Sequence, residues 1–232
     1  MQLEALLNYP RALPAMPRAV TDLLGEMNKE DPSPKRVGEL IGHDPALTTR
    51  VLRLSNSAFF RVSRKIGSAD EAVALLGMTH VRSLVMAAAL GASFKSVPGI
   101  DLRQFWRYSL RVADISKSLA GVLHQHPGNA FTAGLIHAIG VLVMHIAMPD
   151  AVAPLDMATP PFDLTRAAAE KAIFGYSYAD VGAGMAEKWQ FPPEMVSALA
   201  NQVEPFEGEA YDPLGGVLHL ASWRARAEEI QL

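Results

Sequence analysis

The stretch AGLIHAIGVLV (residues 133–143) places a single histidine, His137, inside an apolar run with helical spacing. The residue after the histidine is Ala138, which carries no ligand atom. An imidazole in such a run is either a packing residue or one member of a metal-ligand set. Since a bound metal needs at least three protein ligands that face one point, the rest of the chain must supply the others if a metal site exists.

The sequence on both sides of this stretch has a helical pattern. Apolar residues recur at three- and four-residue spacings, and Asp, Ser and Pro stand where helices begin. No alternating run of β-branched residues is long enough to predict a strand, so the sequence predicts an all-α fold. The predicted helices are 18–27, 34–44, 44–57, 68–77, 79–94, 102–124, 130–148, 163–175, 177–191, 194–203 and 212–229.

The break KSVPGIDL (residues 95–102) is the one plausible internal border in the sequence. It is short and only moderately polar, unlike a flexible linker. We interpret it as a join between two helical lobes, residues 1–97 and 98–232, that pack on each other as one domain.

The composition excludes several classes of protein. The 232 residues are half apolar and 19% charged, with a net charge of −3, which is typical of a globular protein with a buried core. This charge favours neither nucleic acid nor an anionic membrane as a partner. No apolar run reaches the roughly 20 residues of a membrane span, the start lacks a signal-peptide pattern, and the absence of cysteine excludes disulfides. We therefore expect a cytoplasmic protein.

Several phrases, in order, resemble the HDOD domain family, a group related to the HD phosphohydrolases. The resemblance covers about residues 13–226 and implies an all-α fold of two packed lobes, the second an HD-like helical bundle. It also implies a bacterial signalling role, generally without catalysis. The phrases are LPAMPRAV (13–20), HDPALTTRVLRLSNSAFF (43–60), IGSADEAVALLGMTHVRSLVMAAAL (66–90), FWRYSLRVADISKSLA (105–120), AFTAGLIHAIGVLVM (130–144), EKAIFGYSYADVGAGMAEKWQFP (170–192) and ALANQVEPF (198–206).

The resemblance also implies where the metal ligands of active HD enzymes would fall in this chain. A histidine survives at His137, whereas the other positions carry side chains that are poor ligands or have no ligand atom. Because one imidazole cannot hold a metal or activate a water, we expect no metal, no cofactor and no catalysis. The remaining positions of this former metal site are Tyr108, Ala138, Tyr178, Gln202 and Val203.

The other histidines do not restore a ligand set. His124 and His126 are expected to be exposed at a helix end, and His145 to be a half-buried packing residue. His80 and His219 have no ligand-type neighbours at a suitable spacing. The literal His-Asp pair at His43 is expected to be a helix start in which Asp44 caps the next helix.

Without catalysis, binding is the remaining class of function. The loop FFRVSRKIGS (residues 59–68) carries Arg61, Arg64 and Lys65, which could contact an anion or an acidic partner but are more simply a solvated surface. The segments 157–163 and 201–213 are candidate exposed loops near the mouth of the former metal cavity.

Three hypotheses follow from these patterns. The first is a regulatory module that binds an unidentified signalling protein. The second is a degenerate pocket that binds a nucleotide or cyclic dinucleotide without hydrolysis. The third, the least favoured, is a residual metal-dependent phosphohydrolase. The chain is either a stand-alone module or a fragment, and no pattern predicts its oligomeric state.

Overall fold

The computed structural model of the chain describes residues 1–9, 18–27, 29–56, 62–189, 191–207 and 211–229. All regular secondary structure in these ranges is helical, which confirms the predicted fold class. The helices are α1 Leu3–Leu7, α2 Arg18–Met27, α3 Pro34–Gly42, α4 Pro45–Ser55, α5 Ala69–Ser93, α6 Leu102–Val122, α7 Pro127–Ile136, α8 Ile139–Ala147, α9 Pro149–Ala158, α10 Arg166–Phe174, α11 Tyr178–Lys188, α12 Pro193–Asn201 and α13 Pro213–Glu229.

The chain forms two compact units. The first contains residues 15–95, in which α5 packs against α3 and α4. The second contains residues 96–232 together with residues 1–14, so the N-terminal segment groups with the second unit and not with the lobe in which the sequence placed it. The short helix α1, which the sequence did not predict, packs on α11 and places Leu7 against Gly184.

Capping side chains explain where several helices begin. The Asp44 carboxylate accepts hydrogen bonds from the N–H groups of Ala46 and Leu47, both at 2.9 Å, which confirms its predicted capping role. At the start of α11 the Asp180 carboxylate accepts from the N–H and the hydroxyl of Ser177, at 2.7 and 2.8 Å. Gly77 has a φ of 77° and separates the two predicted helices within α5.

Two predictions about helix extent were wrong. The predicted helix 130–148 is interrupted at His137 and Ala138, where the Gln202 amide binds the His137 carbonyl at 2.9 Å. The helix α9, which contains Pro149 and Pro154, was not predicted. Pro149 stands at the first turn, where a helix needs no N–H donor, so it starts the helix instead of preventing it.

The core of the second unit surrounds α7 and α8. Apart from Thr132 and His137, the residues from Ala130 to Met144 are apolar, and the whole stretch is buried. By length and composition alone, Pro127–Ala147 could cross a membrane, but 89% of its apolar window is buried inside the protein. Its apolar character is therefore explained by its place in the core of the bundle, where α6 and α13 pack against it.

Gly140 permits the closest approach between helices in this core. A Cβ atom at this position would lie far inside van der Waals contact with the backbone carbonyl of Tyr178. Because the obstructing atoms belong to the backbone, a side-chain movement cannot relieve the overlap. The approach of α8 to the start of α11 therefore requires glycine at position 140.

We expect Gly140→Ala to lower the free energy of unfolding by about 3 kcal/mol, because the added methyl group must push α8 away from α11. Gly121→Ala is the matched control, since nothing lies within 4 Å of a Cβ at this position. It should stabilise the protein by up to about 1 kcal/mol, because alanine favours helix more than glycine does. Urea denaturation of both variants measures the difference, and equal stabilities would contradict the required close approach.

Candidate functional site

The structure brings the positions that the resemblance assigned to a former metal site together around one pocket of about 270 Å³. This placement required helices that are far apart in the sequence to converge, namely α6, α11, α12, α13 and the break between α7 and α8. The pocket is lined by Tyr108, His137, Ala138, Pro161, Phe162, Asp163, Leu164, Tyr178, Gln202, Val203, His219, Ser222 and Trp223.

His137 lies at the inner end of α7, and its side chain is almost completely buried. Its Nδ1 lies 2.7 Å from the carbonyl oxygen of Gly134, which can only accept a hydrogen bond, so Nδ1 carries the proton. Burial lowers the pKa of His137 to about 4, although the bond to Gly134 opposes this shift. At neutral pH the ring is therefore uncharged, and Nε2 carries a lone pair.

Gln202 is 3% exposed and follows the end of α12. Its Nε2 donates to the carbonyl oxygens of His137 and Leu199, both at 2.9 Å. Since both partners are acceptors, they fix the orientation of the amide and leave the oxygen on the other side. Within the described part of the chain, this buried Oε1 has no hydrogen-bond partner.

Two tyrosines, at positions where the resemblance predicted lost histidine ligands, line the pocket. Tyr108 is buried, its hydroxyl donates to the carbonyl of Ser222 at 3.2 Å, and its ring lies 5.4 Å from that of His137. Tyr178 begins α11 at the wall of the pocket. Desolvation raises the pKa of both phenols well above 10, so both stay neutral and can donate hydrogen bonds at neutral pH.

The outer wall is aromatic and carries one carboxylate. Phe162 packs on Tyr108 with ring centroids 4.8 Å apart, and Trp223, which is 55% exposed, completes this wall. Asp163 lies beside them, and its Oδ1 accepts from the N–H and hydroxyl of Thr165 at 2.8 and 2.6 Å. As expected from the sequence, segment 157–163 reaches this pocket, although Met157 and Ala158 end α9 and belong to no loop.

His219 is a pocket residue that the sequence analysis missed. It lies on α13, and its Nδ1 is 3.0 Å from the carbonyl oxygen of Gln202, which again leaves the other ring nitrogen as an acceptor in the neutral ring. No spacing along the chain could have linked His219 to His137, because the two histidines lie on helices that meet only through packing.

The side chains of the pocket do not fit a catalytic metal. Ala138 offers no ligand atom, the Gln202 amide is engaged through its nitrogen, and Tyr108 donates its proton to a backbone carbonyl. Across the residues that the structure describes, no three histidine or carboxylate side chains approach one another closely enough to hold a metal ion. The donor set therefore falls short of the three ligands that such a site requires.

A buried ion network positions the aromatic lip of the pocket. The Arg166 guanidinium is 0% exposed and donates to the Asp156 carboxylate at 2.6 Å, the Thr159 carbonyl at 2.6 Å and the Glu170 carboxylate at 2.7 Å. Glu170 also accepts from the N–H of Tyr178 at 2.6 Å. Thr159 and Arg166 are the two ends of the segment that carries Phe162, so these bonds hold both ends. The bond from Tyr178 to Glu170 joins the segment to the start of α11.

His145 belongs to the same network, contrary to its expected role as a half-buried packing residue. It is fully buried, with Nδ1 2.7 Å from the Val141 carbonyl oxygen and Nε2 3.0 Å from the Asp156 carboxylate. Asp156, which binds both His145 and Arg166, lies on α9, the helix that the sequence did not reveal.

Arg64, Lys65, His124 and His126 are not among the residues that line this pocket. Arg64 is exposed and forms an ion pair with Glu71, Lys65 is also exposed, and Arg61 lies outside the described residues. His124 is exposed with a φ of 55° at the end of α6, as expected, whereas His126 caps the start of α7.

Comparison with known proteins identifies similar sequences and structures. The sequence profile of the HDOD domain family matches residues 13–205. A crystallised protein from Shewanella amazonensis, provisionally named a phosphohydrolase, superimposes with a TM-score of 0.84 at 37% identity, over 97% of this chain and 81% of its own.

Two further relatives are longer than this chain. A crystallised protein from Marinobacter aquaeolei, provisionally named a signal transduction protein, has a TM-score of 0.71 at 22% identity, over 97% of this chain and 50% of its own. An uncharacterized protein from Treponema pallidum is 22% identical over 217 residues, which are 92% of this chain and 42% of that protein. The chain therefore spans less than half the length of this curated relative.

The lowered pKa of His137 predicts a pH dependence of stability. In the unfolded chain the ring becomes protonated below about pH 6.5, whereas the buried ring stays neutral down to about pH 4. Between these pH values the unfolded state binds more protons than the folded state. The contribution of His137 to the free energy of unfolding is therefore complete above pH 6.5 and decreases by about 3 kcal/mol as the pH falls to 4.

Denaturant unfolding between pH 7 and pH 4 tests this prediction with His137→Gln and His124→Gln. The first variant should lose less stability than the wild type over this interval. The second removes an exposed histidine and should follow the wild type. Parallel curves for all three proteins would show that burial does not suppress protonation of His137.

Removing the buried guanidinium should be costly. We expect Arg166→Met to lower the free energy of unfolding by about 3–5 kcal/mol, because it leaves the Glu170 carboxylate buried without its cation. The loss should be smaller at pH 5 than at pH 7. Burial already raises the pKa of Glu170, and a raised folded-state pKa favours the folded state at low pH.

The double variant Arg166→Met with Glu170→Gln should recover part of the loss, since it removes the uncompensated charge. Arg224→Met is the control at an exposed i,i+4 pair with Glu228 and should cost less than about 1 kcal/mol. Thermal and urea unfolding measure all three, and an Arg166 variant as stable as the Arg224 variant would contradict the role of the network.

Proposed function

Because this chain belongs to the HDOD domain family, we propose that it is a signalling module that binds a protein partner and does not hydrolyse phosphoesters. A signalling-related role and an HD-like helical fold are what the chain shares with the family. The proposals that the chain binds a partner and lacks catalysis rest on the pocket and on the surface around it.

The composition of the pocket carries the proposal. Tyr108, Ala138 and Gln202 occupy positions at which active HD enzymes would supply metal ligands, and each is engaged in packing or in hydrogen bonds to backbone carbonyls. A water that is not activated by a metal is a poor nucleophile at neutral pH. The pocket therefore lacks the group that would attack phosphorus.

The surface beside the pocket supports a role in protein binding. Trp223 and Leu220 are both about half exposed and stand three residues apart on α13, so they share one face of the helix. Leu164, at the pocket lip, is exposed to a similar extent. Large apolar side chains grouped on a surface mark interaction sites more often than isolated ones do, and tryptophan is favoured at the centre of protein interfaces.

This role is that of a cytoplasmic regulator in a bacterium. The relatives from Marinobacter aquaeolei and Treponema pallidum extend well beyond the matched region. We propose that this domain transmits a signal by contact with a partner, whether that partner is another chain or a further domain.

The proposed absence of catalysis is tested by a phosphodiesterase assay with added divalent metal ions. Purified protein supplied with Mn²⁺, Mg²⁺ or Fe²⁺ should hydrolyse bis-p-nitrophenyl phosphate no faster than the metal alone. His137→Gln should leave this background unchanged, because His137 holds no metal. Turnover that exceeds the background, is abolished by a chelator and is lost in His137→Gln would overturn the proposal.

Partner binding is tested by photo-crosslinking in the native bacterium. A photoreactive residue at position 220 should yield a discrete crosslinked protein, and Trp223→Ser should remove that product. The matched control places the photoreactive residue at Val122, which is exposed on α6. No product at position 220, or the same product at both positions, would contradict this interface.

A further inference from the structure

We propose that the pocket binds a planar ligand through an amide or amidine edge, neutral or cationic, in preference to a phosphate or carboxylate. This inference goes beyond the protein-binding role and does not depend on it. It rests on the hydrogen-bonding groups that line the pocket, on their charge and on the aromatic wall.

The buried amide oxygen of Gln202 is the first observation. This oxygen lies in a side chain that is 3% exposed, and two backbone carbonyls hold the amide so that the oxygen cannot be exchanged for the nitrogen. An unpaired buried acceptor costs about 1–3 kcal/mol. A ligand that donates an N–H to this oxygen would remove that cost, whereas a phosphate oxygen would be repelled by it.

Two histidines add further acceptors. His137 and His219 each direct one ring nitrogen at a backbone carbonyl, so in the neutral rings the other nitrogen carries a lone pair. Both residues line the pocket together with Gln202. The lining is therefore richer in acceptors than in donors, and an N–H-bearing edge is complementary to it.

The charge of the lining disfavours anions. Asp163 contributes a carboxylate, and no lysine or arginine is among the described residues that line the pocket. The Arg226 guanidinium interacts electrostatically with Asp163, but Arg226 does not line the pocket. Its guanidinium lies 3.8 Å from the Glu229 carboxylate. A phosphate would thus meet a carboxylate and several lone pairs without a dedicated cation.

The walls select a flat ligand. Tyr108 and Phe162 lie together on one side, and Tyr178 and Trp223 contribute further aromatic surface. Aromatic side chains stack on planar groups and interact favourably with cations. The volume of about 270 Å³ accommodates one small ring system.

A series of three isosteric probes tests the proposal on the full chain. Benzamidinium, benzamide and benzoate share one ring and differ in the charge and hydrogen-bonding groups of one edge. Titration calorimetry should show saturable binding of benzamidinium and benzamide, with benzoate at least tenfold weaker. In NMR spectra the indole N–H of Trp223 should shift on addition of the first two probes, which places them in this pocket.

Two variants assign the recognition to the named groups. Gln202→Met removes the acceptor oxygen and should weaken benzamide and benzamidinium by about threefold to tenfold. Asp163→Asn should weaken benzamidinium alone and leave benzamide unchanged, because only the charged probe interacts with the carboxylate. Asp163 is only partly buried, so this variant keeps the test informative even where Gln202→Met fails to fold.

The outcomes that overturn the proposal are distinct from those that overturn the protein-binding role. Benzoate binding as tightly as benzamidinium would contradict the acceptor-rich lining, and adenosine monophosphate binding more tightly than adenine would indicate a phosphate site. Absence of saturable binding for all three probes would also contradict it. None of these results affects crosslinking at position 220.

Discussion

The buried Arg166 guanidinium is the interaction on which the candidate site depends. A cation removed from water must be matched by acceptors, and here the carboxylates of Asp156 and Glu170 and the carbonyl of Thr159 provide them. Those acceptors belong to α9, α10 and the connection between them, so the network fixes their relative positions. Glu170 extends it to the backbone of Tyr178, which joins the network to the start of α11.

The close approach of α8 to α11 at Gly140 acts together with this network. It brings Tyr178 beside the break that follows His137, and Gln202 closes the same break through its bond to the His137 carbonyl. The result is a pocket in which Tyr108, Ala138 and Gln202 stand together with His137. The lining combines neutral hydrogen-bond acceptors, one carboxylate and aromatic walls.

Much of the fold could be predicted from the sequence. Helical periodicity and capping residues such as Asp44 act locally, and the predicted helices largely agree with those of the structure. The family resemblance also identified Tyr108, His137, Tyr178 and Gln202 as positions of one site, and the structure places all of them around one pocket. The failures were of another kind. The helix α9 was not predicted, and His145 was misjudged because its carboxylate partner lies on α9.

The sequence by itself determined that the chain is all-α and that it belongs to the HDOD family. These properties depend on residue identity and on spacings of a few residues. Only the tertiary structure decided that His219 and Asp163 line the same pocket as His137 and Gln202, and that Arg166 is buried. Such properties depend on which helices meet, and that is decided by the packing of distant segments and by close approaches such as that at Gly140.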